Sequence, residues 1–274
     1  MDSILLAIAI LPVLILGFYI NSQDKFQKEP FGMILKAFFF GALSILPAIF
    51  MESVLSEYTP TGMPVLEGAY TGYVVAGFSE ELCKFLMLSW AIWRSRHFDE
   101  YFDGIVYAAF VSLGFACFEN ISYVFGQETY ASALVTGSVR AVLSVPGHFL
   151  FGVTMGYYFA LAKFQPEKRF VNLLKAVFYP ALLHGTFDAL LMIPENIGQG
   201  AAVITIGLFV MFILFDIRLW KIASRRLRHL QELSSKQASE QTQNDSFDDS
   251  ETWTSDHHDP ELGGGKSLEQ LNWD

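Results

Sequence analysis

Seven apolar stretches, each long enough to cross a lipid bilayer, dominate this sequence. They cover residues 4–20, 31–51, 69–93, 104–125, 146–162, 171–193 and 197–220. A bilayer-crossing helix needs about 20 predominantly apolar residues, and a chain in lipid must satisfy its backbone hydrogen bonds internally, which a helix does. The sequence therefore predicts an all-α polytopic membrane helix bundle of about seven transmembrane helices, embedded in a lipid bilayer.

The composition excludes other classes of protein. The chain is 52% hydrophobic and only 17% charged, whereas a soluble domain has about 25% charged residues. Its two cysteines, Cys83 and Cys117, both lie inside apolar stretches, which argues against a disulfide framework or a thiolate metal cage. A soluble enzyme, a disordered chain and a secreted disulfide scaffold are excluded, and no feature predicts a nucleic-acid partner.

One further apolar segment, residues 130–145, is too short to span a bilayer alone and contains Arg140. We interpret it as an interfacial or half-inserted segment that leads into a helix at Pro146. An eighth span is the alternative. We expect Arg140 and Asp103, which lie near the ends of spans, to extend their charged groups to the membrane interface.

The distribution of positive charge predicts the orientation, because Lys and Arg are retained on the cytoplasmic side of short loops. Basic residues cluster at 25–28, 94–96, 163–175 and 218–228, and these connections alternate with three that contain no Lys or Arg, at 52–68, 126–128 and 194–200. The pattern predicts a multi-pass protein of the cell membrane, with its N-terminus outside and its C-terminus in the cytoplasm.

The acidity of the chain is concentrated in a polar C-terminal region. Residues 231–274 contain 11 acidic and 2 basic groups, and the whole chain has a net charge of -10. Such a polar segment cannot bury enough apolar surface to offset the entropy cost of ordering. The sequence predicts two parts, a transmembrane domain at 1–225 and a disordered acidic cytosolic tail at 226–274.

Ionisable side chains interrupt four of the predicted spans. They are Glu80, Glu81 and Lys84 in the third span, Glu119 with Tyr123 in the fourth, His148 in the fifth, and His184 with Asp188 in the sixth. A charged group at the centre of a span costs about 2.5–3.5 kcal/mol on insertion scales, so such groups mark functional sites. With a rise of about 1.5 Å per residue, all four groups fall in the outer half of the membrane, and we expect them to converge.

Three kinds of chemistry suit such a cluster. A buried carboxylate can act as general base on water while imidazoles position the water and polarise a carbonyl. Two histidines with carboxylates can instead form a zinc-type site with an open position. Chains of Glu, His and Asp also relay protons in transporters. A proton- or ion-coupled transporter, or a non-catalytic membrane binding protein, is therefore the alternative to a hydrolase.

The motifs resemble those of the PrsW family of intramembrane proteases, which is related to the CAAX prenyl proteases and the Abi proteins. The sequence has Glu-Glu-x-x-Lys at 80–84, Phe-Glu-x-x-x-Tyr at 118–123, His148 with Gly152, and His184 with Asp188. Four ordered motifs in separate spans make the resemblance specific. It covers residues 1 to about 225, which would then form a transmembrane protease domain.

The resemblance implies a role for each residue. Glu80 would be the catalytic base, with Glu81 adjacent and required. His148 would help to hold the nucleophilic water, and His184 would donate to the developing oxyanion. Asp188 stands where CAAX proteases commonly have Asn, and as a carboxylate it would orient His184 or bind a metal.

Lys84, Glu119 and Tyr123 would support the site. Members of the family are often named metalloproteases, so a zinc ion held by residues among Glu80, His148, His184 and Asp188 is one possibility that the resemblance leaves open. A metal-independent glutamate mechanism is the other, and the sequence does not require a cofactor.

The implied reaction is hydrolysis of a peptide bond in a membrane-anchored protein, as in regulated intramembrane proteolysis in bacteria. PrsW proteins resemble site-1 proteases that cleave single-span anti-sigma factors on the extracytoplasmic side. The depth expected for the polar cluster agrees with that side of the membrane.

Overall fold

The computed structural model of the protein describes residues 2–25, 27–197 and 202–256, and these residues form helices without any strand. The α-helices are α1 (Asp2–Gln23), α2 (Phe31–Leu43), α3 (Ile45–Ser56), α4 (Pro64–Tyr70), α5 (Ser79–Ile92), α6 (Tyr101–Phe125), α7 (Tyr130–Val142), α8 (Ser144–Phe164), α9 (Arg169–Ile197) and α10 (Ala202–Asp256). A π-helical segment, Thr71–Phe78, joins α4 to α5, and a 3₁₀ turn, Pro166–Lys168, precedes α9. The prediction of an all-α fold is confirmed.

Among the residues that the structure describes, six helical segments are long and apolar enough to cross a membrane. They are Ser3–Gln23, Phe31–Ser56, Tyr101–Phe125, Tyr130–Phe164, Pro166–Pro194 and Ala202–Gln243. The third predicted span corresponds to α4, the π-helical segment and α5, and is not among the six. Its middle carries Glu80, Glu81 and Lys84. With these three charged residues, the segment is less apolar than the six candidate spans. Residues 198–201 of the seventh predicted span lie outside the described residues.

Helix α6 is the centre of the bundle. In the most apolar stretch of α6, 83% of the residues are buried. The helix packs against α1, α2 and α8. Gly104 of α6 and Gly156 of α8 allow one of these approaches to be very close. A Cβ atom on Gly104 would lie 2.9 Å from the carbonyl oxygen of Gly156 and 2.7 Å from Cβ of Ala160. The two helices therefore touch through their backbones, as small residues permit in membrane proteins.

A second close approach brings α9 against the π-helical segment. A Cβ atom on Gly185 would lie 2.7 Å from Cα of Tyr73, and one on Gly77 would lie 2.7 Å from the amide nitrogen of Gly185. The hydroxyl groups of Tyr73 and Thr186 are 2.8 Å apart. Because Gly185 follows His184 and the π-helical segment leads directly into Glu80, this contact sets the distance between the two residues.

The C-terminal region differs from the expected tail in the part that the structure describes. Helix α10 continues to Asp256, and Leu227, Leu230 and Ser234 are buried. The chain divides into two compact units, 1–234 and 235–274. Residues 226–234 thus belong to the first unit, whereas residues 257–274 of the predicted tail lie outside the described residues. Disorder of the tail beyond the first unit stays a prediction.

Candidate active site

Two adjacent buried carboxylates open α5. Glu80 and Glu81 occupy its first turn, directly after the π-helical segment. Residues three and four apart lie on the same side of an α-helix, so Lys84 reaches both. Its Nζ atom lies 3.1 Å from Oε2 of Glu80 and 2.8 Å from Oε1 of Glu81. All three side chains are buried, so the two carboxylates share one ammonium group away from water.

His184 reaches the same carboxylates from α9. Its Nδ1 atom lies 3.0 Å from Oε1 of Glu81 and 3.8 Å from Oε2 of Glu80. Its Nε2 atom lies 3.3 Å from Oδ2 of Asp188, one helical turn further along. A carboxylate beside each nitrogen favours the doubly protonated imidazolium, in which both nitrogens donate. The ring of Phe151 stacks on the imidazole with its centroid 4.8 Å away, which fixes the plane of the ring.

His148, from α8, is held at both of its nitrogens. Nδ1 lies 3.0 Å from Nζ of Lys84, and Nε2 lies 2.8 Å from Oε2 of Glu119. An ammonium group has only donors, so Nδ1 must be the acceptor in the first contact. We therefore assign the proton to Nε2, which donates to Glu119. His148 is a neutral imidazole that links the two carboxylates of α5 to Glu119 of α6.

Arg140 points into the site, where it contacts residues of α6, and its position relative to the membrane interface stays a prediction. Its guanidinium group lies 2.7 Å from Oε2 of Glu119, and its Nε donates to Oδ1 of Asn120 at 3.0 Å. Its Cζ atom lies 4.0 Å from the ring centroid of Tyr123. The carboxylate of Glu119 provides a stronger partner than the headgroup region, because a charge-assisted contact gains strength away from water. Tyr123 therefore joins the site through its ring.

The predicted site residues thus form one continuous network. It runs from Arg140 through Glu119, His148 and Lys84 to the pair of carboxylates on α5, and from there to His184 and Asp188. The predicted convergence of the four motifs is confirmed in space. Their depth in a membrane and their individual roles stay predictions.

The sequence reasoning missed Glu52 of α3. Its side chain is half-buried, and it interacts electrostatically with charged members of the network, namely Lys84, Glu119, His184 and Asp188. The charge pattern assigns residue 52 to a connection, whereas α3 extends to Ser56. The sequence signal for this residue is the carboxylate itself. An acidic residue one turn before the end of an apolar helix needs a polar partner or water.

The same residues provide the donor atoms of a metal site. The four donors of Glu80, Glu81, His148 and His184 all lie within 4.8 Å of one another, and nitrogen and carboxylate donors suit zinc. Glu81 replaces Asp188 in the predicted ligand set, because Asp188 lies on the far nitrogen of His184. Lys84 contacts three of these four residues. A metal ion and the Lys84 ammonium would therefore compete for the same donors.

Comparison with known proteins agrees with this site. The family described as "PrsW family intramembrane metalloprotease" matches residues 29–217. The chain is 38% identical to a protein named Protease PrsW from Clostridioides difficile, over 85% of this chain and 93% of the relative. It is 34% identical to the Geobacillus kaustophilus protein of that name, over 85% of this chain and 95% of the relative. No solved structure matches the chain.

Fold, site and relatives define the class of protein. It is a multi-pass membrane hydrolase whose carboxylates and imidazoles are buried within a helix bundle. The chain belongs to the PrsW family of intramembrane proteases. The hypothesis of a peptidase, rather than the alternative of a transporter, is confirmed at this level, and a membrane-embedded protein is the class of substrate that such an enzyme requires.

Proposed function

We propose that the protein cleaves a single-span membrane protein with Glu80 as the general base. The difference in hydrogen bonding between the two carboxylates carries this proposal. Oε1 of Glu81 contacts both Lys84 and His184, so this oxygen already accepts from two cationic side chains. Glu80 contacts Lys84 and lies further from His184, at 3.8 Å. It also retains 6% exposure, whereas Glu81 has none, which supports Glu80 as the carboxylate that meets water.

Each proton in this reaction has a donor and an acceptor. Glu80 takes a proton from a water molecule, whose oxygen attacks the carbonyl carbon of the scissile peptide bond. The carbonyl oxygen becomes an oxyanion, which an N–H group of His184 stabilises. The Nε2 contact with Asp188 is long at 3.3 Å, which supports sharing of that proton. Glu80 then returns its proton to the leaving amine as the C–N bond breaks.

His148 and Lys84 support this mechanism by fixing charge and position. The ammonium of Lys84 contacts both carboxylates, so when Glu80 gains and then loses a proton, Lys84 stays paired with Glu81 and no buried charge is left unpaired. The neutral His148 links Lys84 to Glu119, and Arg140 holds Glu119 from the other side. We propose that His148 helps to position the attacking water indirectly, by fixing Lys84 beside Glu80, because both of its own nitrogens have partners.

Cleavage near the extracytoplasmic face, as for an anti-sigma factor, follows from the charge pattern of the loops. Orientation is testable because both native cysteines are buried. Glu57→Cys and Glu167→Cys place single thiols at exposed positions, one in a connection without basic residues and one in a basic connection. In intact cells, a membrane-impermeant maleimide should label the first variant and not the second. The opposite pattern would contradict the orientation.

The catalytic assignment is tested by co-expression with a tagged single-span substrate. Glu80→Gln keeps the shape of the side chain and removes the base, so we expect cleavage to fall by at least about 10²-fold, with membrane insertion unchanged. Glu128→Gln, at an exposed position between α6 and α7, is the matched control and should cleave normally. Full activity in Glu80→Gln would exclude Glu80 as the base.

A zinc ion held by Glu80, Glu81, His148 and His184 is the second candidate, because their donors lie within 4.8 Å of one another. Such an ion would supply Lewis-acid activation of water or carbonyl. It requires Lys84 to leave its present position. Elemental analysis of the purified protein separates the two candidates.

A further inference from the structure

A second group of buried carboxylates lies at the opposite end of α6. Asp24 follows α1, Glu29 precedes α2, and Glu100 and Asp103 lie at the start of α6. All four side chains are buried, with Asp24 only 1% and Asp103 0% exposed. Along α6, Asp103 is about 24 Å from Glu119 at 1.5 Å per residue. This acidic cluster is therefore separate from the active site.

Part of the acidic cluster is satisfied by hydrogen bonds. Oδ2 of Asp103 accepts from the backbone N–H groups of Asp99 and Glu100 at 3.0 and 2.8 Å. The hydroxyl of Tyr107 donates to Oε2 of Glu29. These bonds cap the start of α6 and fix one oxygen of each carboxylate.

The remaining oxygens are buried without partners. Oε1 of Glu100 and Oδ1 of Asp103 have no hydrogen-bond partner, and among the described residues the carboxylate of Asp24 has no side-chain partner and is approached by the backbone N–H of Glu29. The carboxyl groups of Glu29 and Asp103 lie within hydrogen-bonding range of each other, so two acceptors face each other. Such a contact requires a proton or a cation between the oxygens.

No basic side chain neutralises the acidic cluster in the part of the chain that the structure describes. None of its four carboxylates forms an ion pair with Lys or Arg there. Lys28 interacts electrostatically with Asp24, but its Nζ atom donates to the backbone carbonyl of Asn21 at 3.1 Å. Buried unpaired carboxylates cost several kcal/mol each. The arrangement therefore calls for a positive charge that the described side chains do not supply.

Helix α10 covers this end of the bundle. The backbone N–H of Phe102 donates to Oγ of Ser234 at 3.0 Å, and Nε2 of Gln231 donates to the carbonyl oxygen of Gln23 at 2.7 Å. Phe102 and Gln23 are the chain neighbours of Asp103 and Asp24. The contacts therefore shield the cluster from water, which increases the need for a neutralising partner.

We propose that the acidic cluster binds a hydrated Mg²⁺ ion that joins the connection between α1 and α2 to the start of α6. All the available ligands are carboxylate oxygens, which are the hard donors that Mg²⁺ and Ca²⁺ prefer. In the described residues, only the Glu80 group has donors within 4.8 Å of one another. The wider spacing here fits Mg²⁺, which retains several waters and takes one or two carboxylates directly. Ca²⁺ would need a closer cage of six to eight oxygens.

Thermal unfolding of the full-length protein tests the proposal. The protein is purified in detergent, stripped with EDTA, and titrated with MgCl₂, with KCl of equal ionic strength as control. Wild type should gain stability saturably, as expected when an ion binds the folded state alone. Asp24→Asn should show no gain, and its stability without metal should equal or exceed that of wild type, because it removes a buried charge while its amide oxygen can still accept from the backbone N–H of Glu29. Glu100→Gln is the second variant if Asp24→Asn does not fold.

The variant Glu80→Gln distinguishes Mg²⁺ binding at the acidic cluster from Mg²⁺ binding at the Glu80 group. The proposal requires that this variant keep the full Mg²⁺ response. Three results would overturn it: no Mg²⁺ response in wild type, an equal response in Asp24→Asn, or loss of the response in Glu80→Gln. Isothermal titration with MgCl₂ should give one site per chain in wild type and none in Asp24→Asn.

Discussion

Nζ of Lys84 lies 3.0 Å from Nδ1 of His148, and this contact determines how protons are arranged in the active site. Because the ammonium can only donate, the imidazole must accept at Nδ1 and carry its proton at Nε2, opposite Glu119. Lys84 thus connects the carboxylates of α5 to the motif of α6. Its substitution should affect more than one partner.

Lys84→Met tests this central position. The variant removes the ammonium that contacts both Glu80 and Glu81 and leaves them the more distant His184, and breaking a buried ion pair typically costs about 3–5 kcal/mol. We expect a lower thermal unfolding temperature and loss of substrate cleavage. The double variant Glu81→Gln/Lys84→Met should recover part of the stability, because one of the two repelling charges is gone. Equal stability of the single and double variants would show that the charges are not coupled.

Metal content should respond to the same substitution. If Lys84 holds the donors that zinc would use, the wild-type protein should contain little zinc after purification, and Lys84→Met should contain more. Elemental analysis of both proteins, purified in parallel, measures this. Stoichiometric zinc in wild type that disappears in Glu80→Gln would instead support the metal-dependent candidate.

Arg140 should matter although it does not contact the catalytic carboxylates. Arg140→Gln removes the ion pair that holds Glu119 against His148, and loss of such outer partners typically costs 10–100-fold in activity. We expect a fall in kcat of about that size, and a smaller fall in Arg140→Lys, which keeps the charge. Arg218→Gln, at an exposed position of α10, is the control. Equal effects of the Gln and Lys substitutions would assign Arg140 a structural role only.

The stability of the bundle should depend on pH through the acidic cluster. Burial raises the pKa of Asp24 from 3.8 to about 6 and that of Glu100 from 4.5 to about 7. The folded state then binds protons more tightly than the unfolded state, so this contribution is complete below about pH 4 and is lost as the pH rises through 6 to 7. In EDTA, wild type should therefore unfold at a lower temperature near pH 8 than near pH 5.

The double variant Asp24→Asn/Glu100→Gln is the control for this effect. Its unfolding temperature should change less over the same pH range, and the difference from wild type isolates the two carboxylates from other titrating groups. Mg²⁺ should oppose the loss in wild type near pH 8, because only the ionised carboxylates bind it. A wild-type stability that rises from pH 5 to pH 8 in EDTA would contradict the prediction.

Much of the buried polar network could be predicted from sequence because charged residues are conspicuous within apolar stretches. Glu80, Glu119 and His184 stand out in apolar stretches, and helical rise alone brought them to a similar depth. The partners of Arg140 and Glu52 could not be predicted because each residue lies near the end of an apolar stretch, where a charged side chain can equally reach water. Only the packing of the other helices around them decides between these positions.

The acidic cluster could not be predicted for a related reason. Asp24, Glu29 and Glu100 lie in or beside short connections, where carboxylates are usually solvated. Their burial arises from tertiary contacts, namely the packing of α10 against the chain near Gln23 and Phe102. A single sequence contains no periodic signal for such a contact.

The π-helical segment Thr71–Phe78 limits how this chain can change in length. In an α-helix, each residue turns the chain by about 100°, so removal or insertion of a single residue in this segment would rotate Glu80 and Glu81 by about that angle relative to α4. They would then no longer point at His184, although every apolar residue would remain in lipid. A chain shortened here by one residue would still insert into a membrane, but it would carry its carboxylates on the wrong side of the helix. The segment should accept substitutions more readily than deletions.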